Sequence, residues 1–468
     1  MMEKIKSALL ALLVALSLVQ SYFLVYSMPN LETRVPSGQD YVLTEPMGPP
    51  LEVKDLLFPE MIVVHRGDDR HTVFYPDNTP YYDLILSKLQ GRLFRGLRQD
   101  YSNTVDWNRV RREDKGIELR FGRPVPFRLL QQVLKIDGEF LFTRDSIERI
   151  WIFVRSGTED VRTFFFSSDG RNIYESVGAD LTVGDVDSFV GFGEYWIPYQ
   201  AMEGDWYLPA EPYDRVAQLT VKASRYTVEQ MQRSLFFDPA VTRAIQERGN
   251  GNLIYTDGKR GLKITGSGRW MSYTDPAAPT EGEPDQADEI AGAVQFVNQH
   301  GGWNGTHRLA QEFSPDPAGG YGVRFQQYYE KVPIISDEEQ NFGYIELVMR
   351  KGVVTSYERS LLILEQTAAA REARMLPGGD ALRARIAEAY SLTAIRALFP
   401  AYRPEIGGDD SVALQPVWAV RLTDGTVRIL EESQAEPEEA VSPEKAEEAA
   451  EQAEAASGED PGPAEREE

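Results

Sequence analysis

The sequence predicts an α+β protein, with an N-terminal transmembrane helix followed by three extracytoplasmic domains, each of antiparallel sheet with helices packed on it. Three observations predict it. An apolar run extends from Ile5 to Met28, with Lys4 and Lys6 at its start and no further charge until Glu32. Asp-Gly or Lys-Gly pairs separate strand-like runs at Asp169-Gly170, Asp257-Gly258, Lys351-Gly352 and Asp424-Gly425, as tight hairpin turns require. A helix followed by antiparallel strands recurs loosely at Thr227 to Tyr273, Gln286 to Leu364 and Asp380 to Leu430.

As one helix the apolar run is about 36 Å long at roughly 1.5 Å per residue, enough to cross a hydrocarbon core of about 30 Å with some tilt. Lysines favour the cytoplasmic side, so residues 1–6 form a cytoplasmic head, 7–28 the anchor, and the bulk is exported. Tyr22, Phe23 and Tyr26 suit the outer headgroup level. A cleavable signal peptide, cut after Val19-Gln20-Ser21 or Val25-Tyr26-Ser27, is the rival reading; its apolar core would be shorter and lack the aromatic cluster. Ser17, Gln20, Ser21 and Leu24 share a helical face, and Ala11 and Ala15 form a small-xxx-small pair. These six are the transmembrane contact residues, by amide hydrogen bonding and close approach, although Gln20 at the interface could equally be hydrated.

Residues 29–50 carry Pro29, Pro36, Pro46, Pro49 and Pro50 and form a stalk. The first domain, 51–207, opens with strands at Met61 to His65 and Thr72 to Tyr75. A helix follows, capped by Thr79 with Pro80 at its first position, and Tyr82, Ile85, Leu89, Leu93 and Leu97 keep helical spacing along it. Arg92, Arg95 and Arg98 would then form a solvated face of that helix. Further strands fall at Gly116 to Phe121, Ile147 to Arg155, Val161 to Ser167 and Asn172 to Ser176, with short helices at Pro126 to Ile136 and Thr182 to Phe189.

The central domain, 208–285, starts with the strand Arg215 to Lys222. Thr227-Val228-Glu229-Gln230 is a capping box. Pro239 is expected to open a second helix to about Glu247, before the hairpin Asn252 to Ile264 and a strand at Arg269 to Tyr273. The C-terminal domain, 286–432, has a helix Gln286 to His300 stopped by Gly301-Gly302, then strands at His307 to Phe313, Gly322 to Tyr329, Phe342 to Arg350 and Val353 to Leu364. A helix from Asp380 through Ile386, Tyr390, Ile395 and Leu398 to Pro400, and a last hairpin, complete it.

The formal charge of −24 on 468 residues is uneven. Residues 431–468 hold fifteen acidic residues against Lys445 and Arg466, a net of −13, so the rest carries −11. That segment has no aromatic residue, and 433–468 is expected to be a disordered acidic tail. The remainder, in a chain 42% hydrophobic and 11% aromatic, is folded. An acidic exported surface argues against nucleic acid as a partner, which needs a basic footprint. With no cysteine, stability comes from packing without disulfides.

Little in the motifs points to catalysis. The four histidines, His65, His71, His300 and His307, show no zinc-ligand spacing. Gly266-Ser267-Gly268 precedes a strand and is not a nucleophile elbow, and Gly191-Phe192-Gly193 has Trp196 where a dinucleotide fingerprint needs its third glycine. Asp409-Asp410 lacks the remaining EF-hand ligands. The expectation is a non-enzyme without cofactor or metal. The densest group of unusual residues is Tyr255-Thr256-Asp257-Gly258-Lys259-Arg260-Gly261-Leu262 with Trp270 to Tyr273, a hairpin and its neighbour, structural or partner-facing.

With those residues placed, the chain resembles the YycH (WalH) family over nearly everything from the anchor to about Leu430. The resemblance rests on Glu3-Lys4-Ile5-Lys6 feeding the apolar span, on Ser234-Leu235-Phe236-Phe237-Asp238-Pro239, and above all on the Tyr255 to Leu262 hairpin followed by Trp270 to Tyr273. Phe236, Phe237, Asp238, Pro239, Tyr255, Asp257, Gly258, Arg260, Gly261, Trp270 and Tyr273 are therefore its motif residues, structural or partner-facing. The resemblance implies a single-pass membrane protein of low-GC Gram-positive bacteria whose last two domains share the fold of YycI (WalI). It further implies a complex with YycI and the sensor histidine kinase YycG (WalK), which adjusts output to the response regulator YycF (WalR) governing cell-wall metabolism. The acidic tail departs from the family pattern. An exported module that binds a peptide or wall fragment along a sheet edge or cleft is the alternative.

Overall fold

A computed structural model describes residue 6 and residues 47–431, apart from 77–79, 101–104, 138–144, 169, 250, 266–267, 277–284, 314–319 and 337–339. The anchor, most of the stalk and the acidic tail lie outside the described residues.

The fold is α+β, and three large sheets organise it, beside a two-stranded one of Ala223–Arg225 and Leu362–Leu364. A ten-stranded sheet takes all its strands from residues 61–209, in the order Trp206–Pro209, Pro198–Met202, His71–Phe74, Met61–Arg66, Lys115–Pro126, Ser146–Val154, Val161–Ser167, Ile173–Ala179, Leu93–Gln99 and Lys135–Asp137. All neighbours are antiparallel except the last pair. A nine-stranded sheet runs Arg243–Gln246, Leu253–Thr256, Gly261–Thr265, Trp270–Thr274, Val353–Ser360, Tyr344–Arg350, Tyr321–Tyr329 and Thr306–Phe313, with Val332–Pro333 beside Tyr321–Tyr329. A five-stranded sheet joins Ala370–Leu376, Tyr213–Val221, Val412–Leu422 and Ile395–Ile406, with Val427–Ile429 on Val412–Leu422.

Side-chain alternation in Met61–Arg66 explains how these layers stack. Ile62 and Val64 enter one core with the helices and the nine-stranded sheet, whereas Met61 and Val63 enter another with Leu414, Val420 and the five-stranded sheet. Because successive side chains point to opposite faces, an unbroken apolar strand must be covered on both. The helix Val183–Phe192 and its neighbours cover one face, and the five-stranded sheet covers the other.

The hairpin turns lie where the glycine pairs place them: φ is positive at Gly170, Gly258, Lys351, Gly352 and Gly425. The capping box is formed, with Thr227 accepting from the Gln230 amide and Gln230 accepting from the Thr227 amide. Helix Gln286–Gln299 ends before Gly301 and Gly302, both at positive φ.

Of the expected helices, two are shorter than the pattern suggested and one is absent. The first spans Pro80–Gln90, and the chain turns at Gly91 into the strand Leu93–Gln99. Leu93 and Leu97 fit a strand period as well as a helical one, and pairing with Ile173–Ala179 decides between them. The arginines therefore do not share a helical face: Arg92 pairs with Asp185 at 2.6 Å and Arg98 with Glu175 at 2.9 Å. After Pro239 a single 3-10 turn, Pro239–Val241, leads to the strand Arg243–Gln246 in place of a second helix. The last helix is Gly379–Ala389, capped at Gly378 and not at Asp380, and Ile395 and Leu398 stand on Ile395–Ile406. A Cβ at Gly378 would overlap the Glu211 carbonyl, which fixes glycine there.

The domain boundary expected at 285/286 falls inside the nine-stranded sheet, where Trp270–Thr274 pairs with Val353–Ser360. The strand expected at Arg215 to Lys222 to open the central domain spans Tyr213–Val221 and belongs instead to the sheet completed by residues 370–429. Sequence order hid this because the partners are more than 140 residues away.

Candidate functional site

The three sheets meet at one carboxylate. Glu60, just before Met61–Arg66, is 4% exposed, and its Oε1 accepts from Arg308 Nη2 at 3.2 Å and from Arg421 Nη2. Arg308 belongs to the nine-stranded sheet and Arg421 to the five-stranded one. Burial alone would raise the Glu60 carboxyl, but Arg421 and Arg308 overcome it and hold the group below its ordinary value. Gly122, at φ +68°, lies against this carboxylate so closely that a Cβ would collide with it.

A second ionic cluster lies on the same side of the ten-stranded sheet. Glu118, fully buried, accepts from Arg120 Nη2 at 2.9 Å and Arg149 Nη1 at 3.1 Å, while Asp205 accepts from Arg111, Arg120 and Arg149 at 2.9, 3.0 and 2.7 Å. Burial opposes ionisation of Glu118, yet Arg120 and Arg149 hold it well below the usual range. His65 Nδ1 is 3.1 Å from His71 Nδ1, and His65 stacks on Trp151 at 4.9 Å. Burial and the neighbouring His65 push His71 down to about 4, and burial lowers His65, so both rings are neutral at pH 7. Carboxylates locked by guanidinium groups and buried neutral imidazoles hold shape and charge; they are poorly suited to relay protons near neutrality.

Two cavities flank Glu60. One, of about 480 Å³, is walled by Trp107, Phe166, Arg120, Arg149, Asp205 and Arg396 among others. Arg149 lies 4.3 Å over the Phe166 ring. The other, of about 390 Å³, opens between the nine- and five-stranded sheets. Among the described residues no group of three histidines, aspartates or glutamates is placed to hold a metal ion.

The residues singled out in the sequence divide sharply. Ala11, Ala15, Ser17, Gln20, Ser21 and Leu24 lie outside the described residues, and among the described residues no helix is long and apolar enough to cross a membrane. Of the motif residues, Phe236, Trp270 and Tyr273 are buried, and Tyr255 is half-buried. Asp257 accepts from the amides of Lys259 and Arg260, Gly258 takes φ +93°, and Arg260 pairs with Asp275 at 3.0 Å. Gly261 starts the strand Gly261–Thr265. Asp238 caps the turn opened by Pro239 by accepting from the Ala240 amide. Phe237 alone of these large apolar side chains is at the surface, 60% exposed, and Val241 and Ile245 follow it at 61% and 51%.

Ile245 lies on Arg243–Gln246, the outermost strand of the nine-stranded sheet, exposed at every position and paired only with Leu253–Thr256 among the described residues. Sequence reasoning missed this edge by reading a helix there. It also missed Glu60, Arg308, Arg421, Glu118 and Asp205, which lie far apart in the chain and carry no local pattern.

The model of the YycH protein, N-terminal domain, matches residues 3–187, and that of the YycH protein, C-terminal domain, matches residues 203–434. Among solved structures, YycH from Bacillus subtilis superposes with a TM-score of 0.64 at 17% identity, covering 83% of this chain and 100% of that one, and so shares the fold. An uncharacterized protein from Eubacterium rectale ATCC 33656 gives a TM-score of 0.31 at 11% identity, covering 46% of this chain and 81% of that one. The Bacillus megaterium YpeB C-terminal domain gives 0.22 at 11% identity, covering 41% and 89%. No curated protein matches. With both of its halves matched by the two models of one family, the chain belongs to the YycH family.

Proposed function

We propose that this chain is a membrane-anchored extracytoplasmic regulator that modulates the sensor histidine kinase YycG (WalK), in complex with a YycI (WalI)-like partner, through transmembrane and outer-domain contacts and without catalysis. Family membership makes it a regulator of the YycFG system in general terms. The observation that carries the finer reading is the bare edge Arg243–Gln246 with Phe237 and Val241 beside it in sequence. An unpaired strand edge offers a row of backbone donors and acceptors for strand addition, and exposed apolar side chains supply burial. A partner that packs differently against two kinase states shifts their populations, for which a few kcal/mol suffices.

The test is co-purification from membranes. Ile245→Asp should reduce recovery of the YycI-like partner, and Gln20→Leu recovery of the kinase. Undiminished recovery and unchanged kinase output in both variants would contradict the proposal.

The cavity beside Trp107 and Phe166 favours a second reading, an exported module for a peptide or wall fragment, because aromatic walls with a few charged groups suit such ligands. A rise in Tm on adding muropeptide fragments, lost in Trp107→Ala, would support it.

A further inference from the structure

Positive charge is concentrated where this acidic chain would least be expected to hold it. The 390 Å³ cavity between the nine- and five-stranded sheets has Arg308, Arg324, Arg421 and Arg428 on its walls against one lining carboxylate, Glu60. Arg308 and Arg421 are 3% and 7% exposed and share a single oxygen of Glu60, leaving the buried triad one positive charge in excess. The Nε atoms of both arginines are buried and have no hydrogen-bond partner among the described residues. Arg324, whose side chain is about a third exposed, is bound by Glu346 from outside the lining, and Arg428 lies near Asp424.

An uncompensated buried charge is costly, and an arriving anion would relieve that cost. Guanidinium forks are suited to carboxylate and phosphate groups, which they bind with paired charge-assisted hydrogen bonds. We propose that this cavity is an oxyanion site, taking a carboxylate or phosphate group of a small ligand. The same chemistry has a second source within the chain: Val427–Ile429 lines the cavity, and the segment that follows, 431–468, carries a net charge of −13. The site stands independently of the YycFG reading, since it uses neither the Arg243–Gln246 edge nor the anchor.

Calorimetric titration of the full-length chain in detergent, with citrate and with inorganic phosphate as probes, tests this. Saturable binding that weakens at least about tenfold in Arg324→Gln/Arg428→Gln supports the site. The same substitution at Arg396, which pairs with Glu148 in the other cavity, should leave it unchanged. A chain whose acidic residues from 432 onward are changed to Gln or Asn distinguishes the sources. Tighter probe binding in that chain identifies the tail as the resident oxyanion, and equal binding identifies a free ligand. Absence of saturable binding in both chains, or binding indifferent to Arg324 and Arg428, overturns the proposal. Partner recovery is read in the same variants, so a failed oxyanion site and a failed partner complex are told apart.

Discussion

The sheets of this protein end in different ways at two edges, Trp206–Pro209 and Arg243–Gln246. The first is buried at every residue, and the Trp206 indole donates to the Leu392 carbonyl at 3.0 Å, so the five-stranded unit closes it off. The second is exposed at every residue, with Ile245 on its face. A third edge, Ala370–Leu376, is exposed as well but carries Arg371, Glu372 and Arg374, and Arg371 pairs with Glu330. Charges on an open edge discourage pairing with another chain. Of these edges the fold covers one, places three charged side chains on another, and leaves Ala244 and Ile245 open on Arg243–Gln246, the edge on which the proposed partner contact rests.

The covered edge is the one that stability should depend on. Glu60→Gln, which leaves two buried guanidinium groups with weakened compensation where the covering sheet is clamped, should cost about 3–5 kcal/mol, read by denaturant unfolding. Trp206→Ala removes a fully buried indole and a hydrogen bond, and should cost about 3–4 kcal/mol. Comparable losses from Ile245→Ala would break the contrast.

Acid should act on the covered side before carboxylates titrate. His71 packs 5.3 Å from Tyr207 of the covered edge, facing Asp69, His65 and Arg111, and its pKa is held near 4 against an ordinary value of about 6.5. The unfolded chain binds the proton more readily, so this stability is complete above pH 6.5 and is lost as pH falls toward 4, amounting to about 2 kcal/mol by pH 5. His300 and His307, pushed by burial to about 4 and about 3, act in the same sense in the nine-stranded unit. A pH series of unfolding free energies that stays flat from 7 to 5 would contradict this.

Smaller effects sharpen the comparison further. Asp257→Ala should cost about 1 kcal/mol, because the carboxylate caps two turn amides. Phe237→Ser and Ile245→Ser should change stability by no more than about 0.5 kcal/mol while reducing partner recovery.

What could be read from the sequence was local. Gly258 and Gly352 demand positive φ, Thr227 and Gln230 cap a helix within four residues, and such signals survive any tertiary context. Leu93 and Leu97 misled because a spacing of four suits both periods, and Ile395 and Leu398 because their spacing of three is helical whereas the strand that holds them shifts register between Ile395 and Ala397; distant strands decided both outcomes. The Glu60 junction was illegible for the same reason: its partners stand 248 and 361 residues away. The motif that carries the family likeness is divided in its burial: Leu262, Trp270, Met271 and Tyr273 are framework, whereas the turn at 257–259 is exposed, a division that residue identity alone did not show.

Photocrosslinking in membranes that contain the YycFG system tests the central claim most directly. A photoreactive residue at Ile245, compared with one at the still more exposed Met375 of the charged edge, should give a discrete adduct with the YycI-like partner or the kinase from Ile245 alone. Adducts of equal yield from both positions, or from Met375 only, would contradict the account.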